Sequence, residues 1–472
     1  MLFVLTPFDW LTLHGLVTVV SVLIYVVTSH VMRQRRHPTA AIAWVFFILL
    51  MPYVALPAYL TFGSRKRQRP TPPPKSPPPS DAALAGDAEQ RWVCDTLLAL
   101  GQASPSGYHS LQLHADGHEA RQALLSVIEG ARHSLDIATF ILKDDALGTP
   151  VIDALCAKAA AGVRVRLLLD GLGSLMAGRP RLSRFTRAGG QLVLFVPPLH
   201  SPLKGRINLR NHRKLVVADA GGPQARLWCG GRNLAAEYFE GEAGQAPWRD
   251  LSFDLQGPLV AQAHWQFEHD WAFASGRRPP PNPPHPPLAS APALTGQAQW
   301  VASGPDQADD TVYAMLLTAA YRASHRLYLV TPYFVPDPAL LNALCLAARR
   351  GVQVELLLPA RSNHRLSDVA RARALRALVQ AGGQVWLLPG MLHAKLAVVD
   401  DSLALAGSAN LDSRSLFLNY ELMVAFQSAH DVQRFAAWFE HERQGARPYR
   451  AQAPGLVRDL LEGMLLWVGF EL

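Results

Sequence analysis

Residues 157–170, AKAAAGVRVRLLLD, align without a gap with residues 346–359, LAARRGVQVELLLP. Two flanking stretches repeat at nearly the same distance: ARHSLDIATFIL (131–142) with ASHRLYLVTPYF (323–334), and RAGGQLVLF (187–195) with QAGGQVWLL (380–388). The offset stays at about 190 residues throughout. Each block reads as a strand, an Ala-rich helix and a Gly-led apolar strand, the alternation that builds a sheet covered by helices. The chain is therefore expected to be a duplicated α/β unit, with a site on the pseudo-two-fold interface between its halves.

Outward from this repeat, 472 residues are too many for one small domain. A hydrophobic fraction of 49% with 17% charged residues argues against disorder and places part of the chain in lipid. The formal charge of +8 favours anionic partners, phospholipid headgroups or nucleic acid. Cys94, Cys156, Cys229 and Cys345 stand far apart, with neither paired nor zinc-like spacing, and read as reduced core thiols of a cytoplasmic domain.

From Leu11 to Met32 the chain is apolar with no Lys, Arg, Asp or Glu, its histidines being His14 and His30, and a run of that length spans a hydrocarbon core of about 30 Å. Residues 1–10 hold Asp9 and no basic residue, which favours an uncleaved anchor over a signal peptide. Thr39 to Phe62 is uncharged and reads as a second span, which Pro52 and Pro57 kink or make re-entrant. The cluster Arg65, Lys66, Arg67 and Arg69 puts the bulk of the chain in the cytoplasm, while Arg33, Arg35 and Arg36 pull the connecting loop to the same side. Proline tracts at 70–80 and 279–287 read as extended spacers. The expected organisation is a membrane-anchor hairpin (1–64), a linker (65–90), a first half (91–276), a linker (277–296) and a second half (297–472). The apolar C-terminal segment 455–472 is expected to pack on the core in preference to lying on the membrane surface.

At equivalent places in the two halves stand His212, Lys214, Asp219 and His393, Lys395, Asp400, both spelling H-x-K-x4-D. Two copies in register with a repeat are a far stronger signal than one. His and Lys at i and i+2 of an extended run project from one face. The chain has 7 Lys against 38 Arg, yet both positions are Lys, so a compact three-donor ammonium is wanted there. Downstream lie Gly230, Gly231, Arg232, Asn233 and Gly407, Ser408, Ala409, Asn410, where glycine permits close backbone approach and Ser or Asn offers neutral donors. Asp250 and Glu421 then occupy matching places inside apolar strands, suited to holding each imidazole in one tautomer, with Asp250 behind His212.

These residues resemble the signature of the phospholipase D superfamily, H-x-K-x4-D followed by G-[SG]-x-N, present twice, over roughly residues 110–445. RNHRKLVVAD, GGRN with EYF after it, HAKLAVVD, GSANLDSRS, LNYEL and the N-terminal PYVALPAYLTFG resemble more closely the bacterial cardiolipin synthases of that superfamily. The resemblance implies a phospholipase D-like α/β/α sandwich duplicated with pseudo-two-fold symmetry, preceded by a transmembrane helical hairpin in the bacterial inner membrane. It implies transfer of a phosphatidyl group between two phosphatidylglycerols through a phosphohistidine, giving cardiolipin and glycerol. Catalytic roles fall to His212, Lys214, Asp219, His393, Lys395 and Asp400, and supporting roles to Asn233, Asp250, Ser408, Asn410 and Glu421. Lys214, Lys395, Asn233 and Asn410 would balance charge on the phosphoryl oxygens, and Asp219 and Asp400 would act more as supports than as proton carriers. No metal or nucleotide is expected, since the lysines supply the charge and one phosphodiester replaces another. Anionic phospholipids and the membrane are the expected partners, with no nucleic acid. His212 is expected to be the nucleophile and His393 the acid, because Ser408 would orient the leaving oxygen near His393. The same residues would serve a phospholipase D-type hydrolase or a nuclease. A non-catalytic membrane scaffold is disfavoured by two intact motifs.

Overall fold

The computed structural model describes residues 7–31, 38–62, 88–197, 208–242, 244–279, 294–307, 309–455, 458–459 and 462–463. The first half carries strands β1 (Ser106–His114), β2 (Ser134–Thr139), β3 (Arg164–Leu169), β4 (Gln191–Leu194), β5 (Leu215–Ala218), β6 (Arg226–Gly230) and β7 (Ser252–Gln256). The second carries β8 (Gly296–Ser303), β9 (Arg326–Val330), β10 (Phe334–Val335), β11 (Gln353–Pro359), β12 (Gln384–Leu388), β13 (Leu396–Val399), β14 (Leu403–Gly407), β15 (Leu411–Asp412), β16 (Glu421–Phe426) and β17 (Arg447–Pro448). All but β10 and β15, which pair with each other, join one 15-stranded sheet in the order β17-β12-β11-β9-β13-β14-β16-β8-β1-β7-β6-β5-β2-β3-β4. At its centre β1 and β8 run antiparallel, with Ser106 opposite Ala298. Outward from that seam the two halves repeat the same strand sequence, so the expected duplication and its pseudo-two-fold axis are present.

Alternation along the strands builds two layers of core. Leu215 and Val217 face one side, against Phe267 and Trp271 of helix Leu259–Ser275, and Leu396 and Val398 join the same layer with Phe435 and Phe439 of helix Ala429–Gln444. Val216 and Ala218 face the other side, against Val127 of helix Gly117–Gly130 and Ile152 of helix Gly148–Ala160. Ala397 and Val399 face the equivalent layer of the second half. Successive side chains of a strand point to opposite faces, which is why unbroken apolar runs such as LVVA and LAVV mark strands covered on both sides. The halves are locked at the seam, where the rings of Tyr108, Phe253 and Phe435 surround Phe426 at centroid distances of 5.6, 5.2 and 5.0 Å. Truncating Phe426 to Ala would cost about 3–5 kcal/mol.

Helix Ala88–Ala99, which straddles the expected boundary between linker and first half, buries Val93 and Leu97 in the core of the second half. The Gln102 side chain extends that attachment, accepting from the Ala302 N–H (3.1 Å). β8 likewise starts at Gly296, within the last residue assigned to the second linker. The proline tracts at 70–80 and 280–287 lie outside the described residues.

Among the described residues the N-terminal segment holds one helix, Pro7–Val31, with a stretch (Trp10–Thr28) long and apolar enough to cross a membrane. The second expected span is two helices, Pro38–Leu50 and Pro52–Phe62, not one. Proline has no N–H to donate and its ring crowds the preceding turn, so the helix restarts at Pro52. At 1.5 Å per residue the 13-residue piece is roughly 20 Å long, short of a hydrocarbon core. Tyr59 ties the three helices together, its ring 5.0 Å from Tyr25 and 5.3 Å from Trp44, its hydroxyl 3.0 Å from the Thr28 hydroxyl. In the C-terminal segment, Asp459 and Glu462 pair with Arg373 and Arg376 of helix Arg365–Gln380, so the described part of it rests on the second half.

Candidate active site

β5 runs antiparallel to β2, and β13 to β9, so each signature segment begins at the C-terminal end of its half's parallel strands. The extended residues just before β5 and β13 cross to the opposite half. Asn211 bridges Tyr420, and Arg249 bridges Leu392. The His212 N–H donates to the Tyr420 carbonyl (2.9 Å) and the His393 N–H to the Arg249 carbonyl (2.6 Å). Each acceptor immediately precedes a carboxylate, and this register decides the pairing. Glu421 Oε2 lies 3.1 Å from His212 Nδ1, and Asp250 Oδ2 lies 2.7 Å from His393 Nδ1. The expectation of Asp250 behind His212 is therefore corrected: each half orients the imidazole of the other. With a carboxylate at Nδ1 the ring proton belongs there, which leaves Nε2 as the reactive nitrogen.

Ser408 moves with this correction. Its hydroxyl donates to the same Glu421 oxygen that holds His212 (2.6 Å) and accepts from the Leu422 N–H (2.9 Å), so it serves the His212 side and not His393. Gly231, its counterpart, has no room for a side chain, because a Cβ there would sit 2.2 Å from Asp250 Oδ1. Gly with Asp on one side and Ser with Glu on the other are thus two matched solutions to orienting one imidazole.

Lys214 Nζ donates to the His212 carbonyl (2.6 Å), and Lys395 Nζ to the His393 carbonyl, where it lies 3.0 Å from His393 Nε2. Both lysines, both carboxylates and His393 are buried. Burial lowers His212, with the Glu421 carboxylate only partly opposing it. Burial and then the Lys395 charge push His393 down to about 3. Burial pushes Lys214 down to about 8 and Lys395 to about 7. Burial alone would raise Asp250 and Glu421, but the facing His and Lys groups hold both below the usual carboxylate range. Two carboxylates therefore face two lysines, with neutral imidazoles between them and Lys395 close to its midpoint at neutral pH. Aromatic rings wall the site: Phe140 meets His212 edge-on at 5.0 Å, and Tyr238 and Trp248 flank His393 at 4.9 and 5.9 Å.

Asp219 and Asp400 do not join this group. Four extended residues separate each from its lysine, five steps along the strand or about 16 Å of chain. The Asp219 carboxylate accepts from the N–H groups of Arg132, His133 and Ser134 (2.9, 2.7 and 3.0 Å), and Asp400 from Ser324, His325 and Arg326 (2.9, 2.8 and 2.8 Å). Both take left-handed backbone, φ 51° and 46°, which Asp tolerates better than most residues. They anchor the starts of β2 and β9. The amide of Asn233 faces the Tyr238 hydroxyl and that of Asn410 the Asp412 carboxylate, while both side-chain oxygens are buried without a partner among the described residues.

Several contributing residues were not legible in the sequence. Arg213, the variable residue of the first motif, is fully buried, pairs with Asp270 and Asp306, and donates to the Glu421 carbonyl (3.0 Å). Asp170 accepts from the Asn211 N–H (2.9 Å), which fixes the residue before His212. A buried Asp within helix Leu259–Ser275 was the available signal, since Asp270 falls on its apolar face.

A family model described as "Cardiolipin synthase, PLD-like domain" matches residues 124–271 and 316–443, the two halves that meet at this site. The chain belongs to the phospholipase D-like cardiolipin synthase family. Cardiolipin synthase A of Pseudomonas aeruginosa is 35% identical over 432 residues, 88% of this chain and 86% of that one. Cardiolipin synthase A of Citrobacter koseri is 33% identical over 449 residues, 90% of each chain. A phospholipase D-nuclease N-terminal model matches residues 18–64, the three N-terminal helices. Phosphatidylserine synthase of Haemophilus influenzae shares the fold, with a TM-score of 0.60 at 15% identity over 81% of this chain and 100% of that one. Membership and an intact site make this chain an enzyme.

Proposed function

We propose that the chain is a membrane-bound cardiolipin synthase that transfers a phosphatidyl group from one phosphatidylglycerol to another, releasing glycerol. The crossed pair of His–carboxylate dyads, with a lysine beside each, is the observation that carries this reading. His212 Nε2 attacks phosphorus while the bond to glycerol breaks, and His393 Nε2 gives its proton to the departing oxygen. His393 then removes a proton from the free hydroxyl of a second phosphatidylglycerol, whose oxygen displaces His212 and restores both rings. Lys214 and Lys395 offset the negative charge on the non-bridging oxygens from buried positions, where such charges act strongly.

The roles of the histidines follow from their carboxylates. Glu421 shares its charge with the Ser408 hydroxyl, which weakens its pull on a proton at His212 and suits that ring to stay a neutral nucleophile. Asp250 sits closer to its ring, 2.7 Å, and favours an imidazolium at His393. In the protein alone, burial and Lys395 oppose that proton; a bound phosphodiester anion would work in its favour by drawing on the Lys395 charge. The N-terminal helices anchor the enzyme in the bacterial inner membrane, with the catalytic halves in the cytoplasm.

Vesicles of labelled phosphatidylglycerol test the proposal, with products separated by thin-layer chromatography. Cardiolipin with equimolar glycerol is the expected result, and excess glycerol should drive the reaction back. Phosphatidic acid as the main product would replace the synthase by a hydrolase.

A further inference from the structure

The parallel strands β3 and β11 end beside the two histidines, and the chain leaving each one forms an exposed apolar and basic lip. In the first half Asp170 ends β3, fixes Asn211 and caps helix Gly171–Met176. That helix backs the Phe140 wall of His212: the Ser174 hydroxyl donates to the Phe140 carbonyl (3.1 Å), and a Cβ on Gly173 would meet the Phe140 ring at 2.6 Å. One turn further out, Leu175 and Met176 are 49% and 78% exposed, followed by exposed Arg181. In the second half, residues after β11 reach Tyr333, whose hydroxyl donates to Asn363 Oδ1 (2.5 Å) and whose ring is 5.1 Å from His364. There Leu366 and Val369 are 50% and 40% exposed, next to exposed Arg361 and Arg365.

Repeat symmetry thus sets two such lips around one site. Some exposed arginines elsewhere on the catalytic halves, such as Arg184 and Arg164, are held by Asp153 and Asp136, while others, such as Arg322 and Arg349, are unpaired like those of the lips among the described residues. Arg181, Arg361 and Arg365 make no ion pair among the described residues. We infer that these lips are a second membrane contact, separate from the N-terminal anchor, in which Leu175, Met176, Leu366 and Val369 enter the headgroup boundary of an anionic bilayer while Arg181, Arg361 and Arg365 bind its phosphates. The charge is complementary to an anionic surface, and apolar tips flanked by basic residues are how protein surfaces seat at that boundary. The contact brings the histidines to the depth of the phosphodiester without lifting a lipid into water, and it rests on the lipid reading above.

Full-length Met176→Asp/Leu366→Asp enzyme, reconstituted with phosphatidylglycerol, tests this. Its turnover on bilayers divided by its turnover on a soluble nitrophenyl phosphodiester should fall about tenfold relative to the unmodified chain, from partial loss of two apolar burials. A ratio unchanged within twofold overturns the inference. A second readout needs no activity: a polarity-sensitive dye on Met176→Cys, with Cys156→Ser removing the half-exposed thiol, should be quenched by phosphatidylglycerol brominated near the top of its acyl chains. If both activities fall together, or if the unmodified chain makes no cardiolipin and the lipid reading itself fails, this readout decides, and an unquenched dye refutes the contact.

Discussion

Lys395→Met should make the protein more stable while it abolishes catalysis. An ammonium that burial holds at about 7, far below its ordinary 10.5, costs roughly 4 kcal/mol of stability at pH 7. The sign follows from the protons: between pH 7 and 10.5 the unfolded chain keeps a proton at this residue that the folded chain has lost, so stability rises with pH across that window and is lowest below 7. Methionine removes the buried charge at similar volume. Against this, Asp250 loses a cation, though loss of the Lys395 charge also removes the second of the causes that hold His393 down, after burial. A net gain of about 2–4 kcal/mol remains near pH 7. Roughly 380 folded residues unfold with an entropy of about 0.8 kcal/mol/K, so the melting temperature should rise by about 3–5 °C. Scanning fluorimetry in detergent from pH 6 to 10 reads it, with the difference expected to close at the alkaline end. Turnover should fall about a thousandfold, the usual loss for one preorganised charge aimed at a transition state. A variant that melts lower than the unmodified chain, or an offset that ignores pH, would refute the buried-ammonium reasoning.

The crossed pairing predicts which variants resemble each other. With a nitrophenyl phosphodiester, whose leaving group needs no acid, Asp250→Asn and His393→Asn should both still release nitrophenol in a burst, while Glu421→Gln and His212→Asn should not; the opposite grouping would restore same-half pairing. Gly231→Ser should cost about 1–3 kcal/mol of stability and at least tenfold in turnover, since its Cβ would displace Asp250, even though serine stands at the matching position of the other half. Asp219→Asn should lower the melting temperature through about 1–3 kcal/mol of weakened backbone hydrogen bonds, yet leave kcat per folded molecule nearly intact. A hundredfold loss in kcat at full folding would put Asp219 in the chemistry after all.

What was legible in the sequence depended on range. Periodicity and repetition are local, so the strand–helix–strand blocks, the doubled motif and the two carboxylates could be read from AKAAAGVRVRLLLD and its partners. Pairing between halves is set by the register of Asn211 on Tyr420 and of Arg249 on Leu392, contacts about 140 to 210 residues apart that no spacing reveals. Matching by repeat therefore gave each histidine the wrong carboxylate. The three helices of the N-terminus show the reverse case: the apolar run was plain, but the break at Pro52 decides what it can span. Tyr238, Trp248 and Phe140 stayed hidden because aromatic residues near strands read as core wherever they fall.

The crossing also gives a reason for duplication within one chain. In a homodimer of a single half, both dyads would be identical, and two equal imidazoles could be told apart only by the substrate. Fusion lets the halves diverge, and here they differ where it matters: Gly231 with Asp250 behind His393, Ser408 with Glu421 behind His212. On the proposed mechanism, a hydroxyl on one carboxylate and none on the other would help set one ring for attack and the other for proton transfer. Each half then holds the imidazole it contributes only through the other, so separating the halves at the β1–β8 seam would cost both dyads at once.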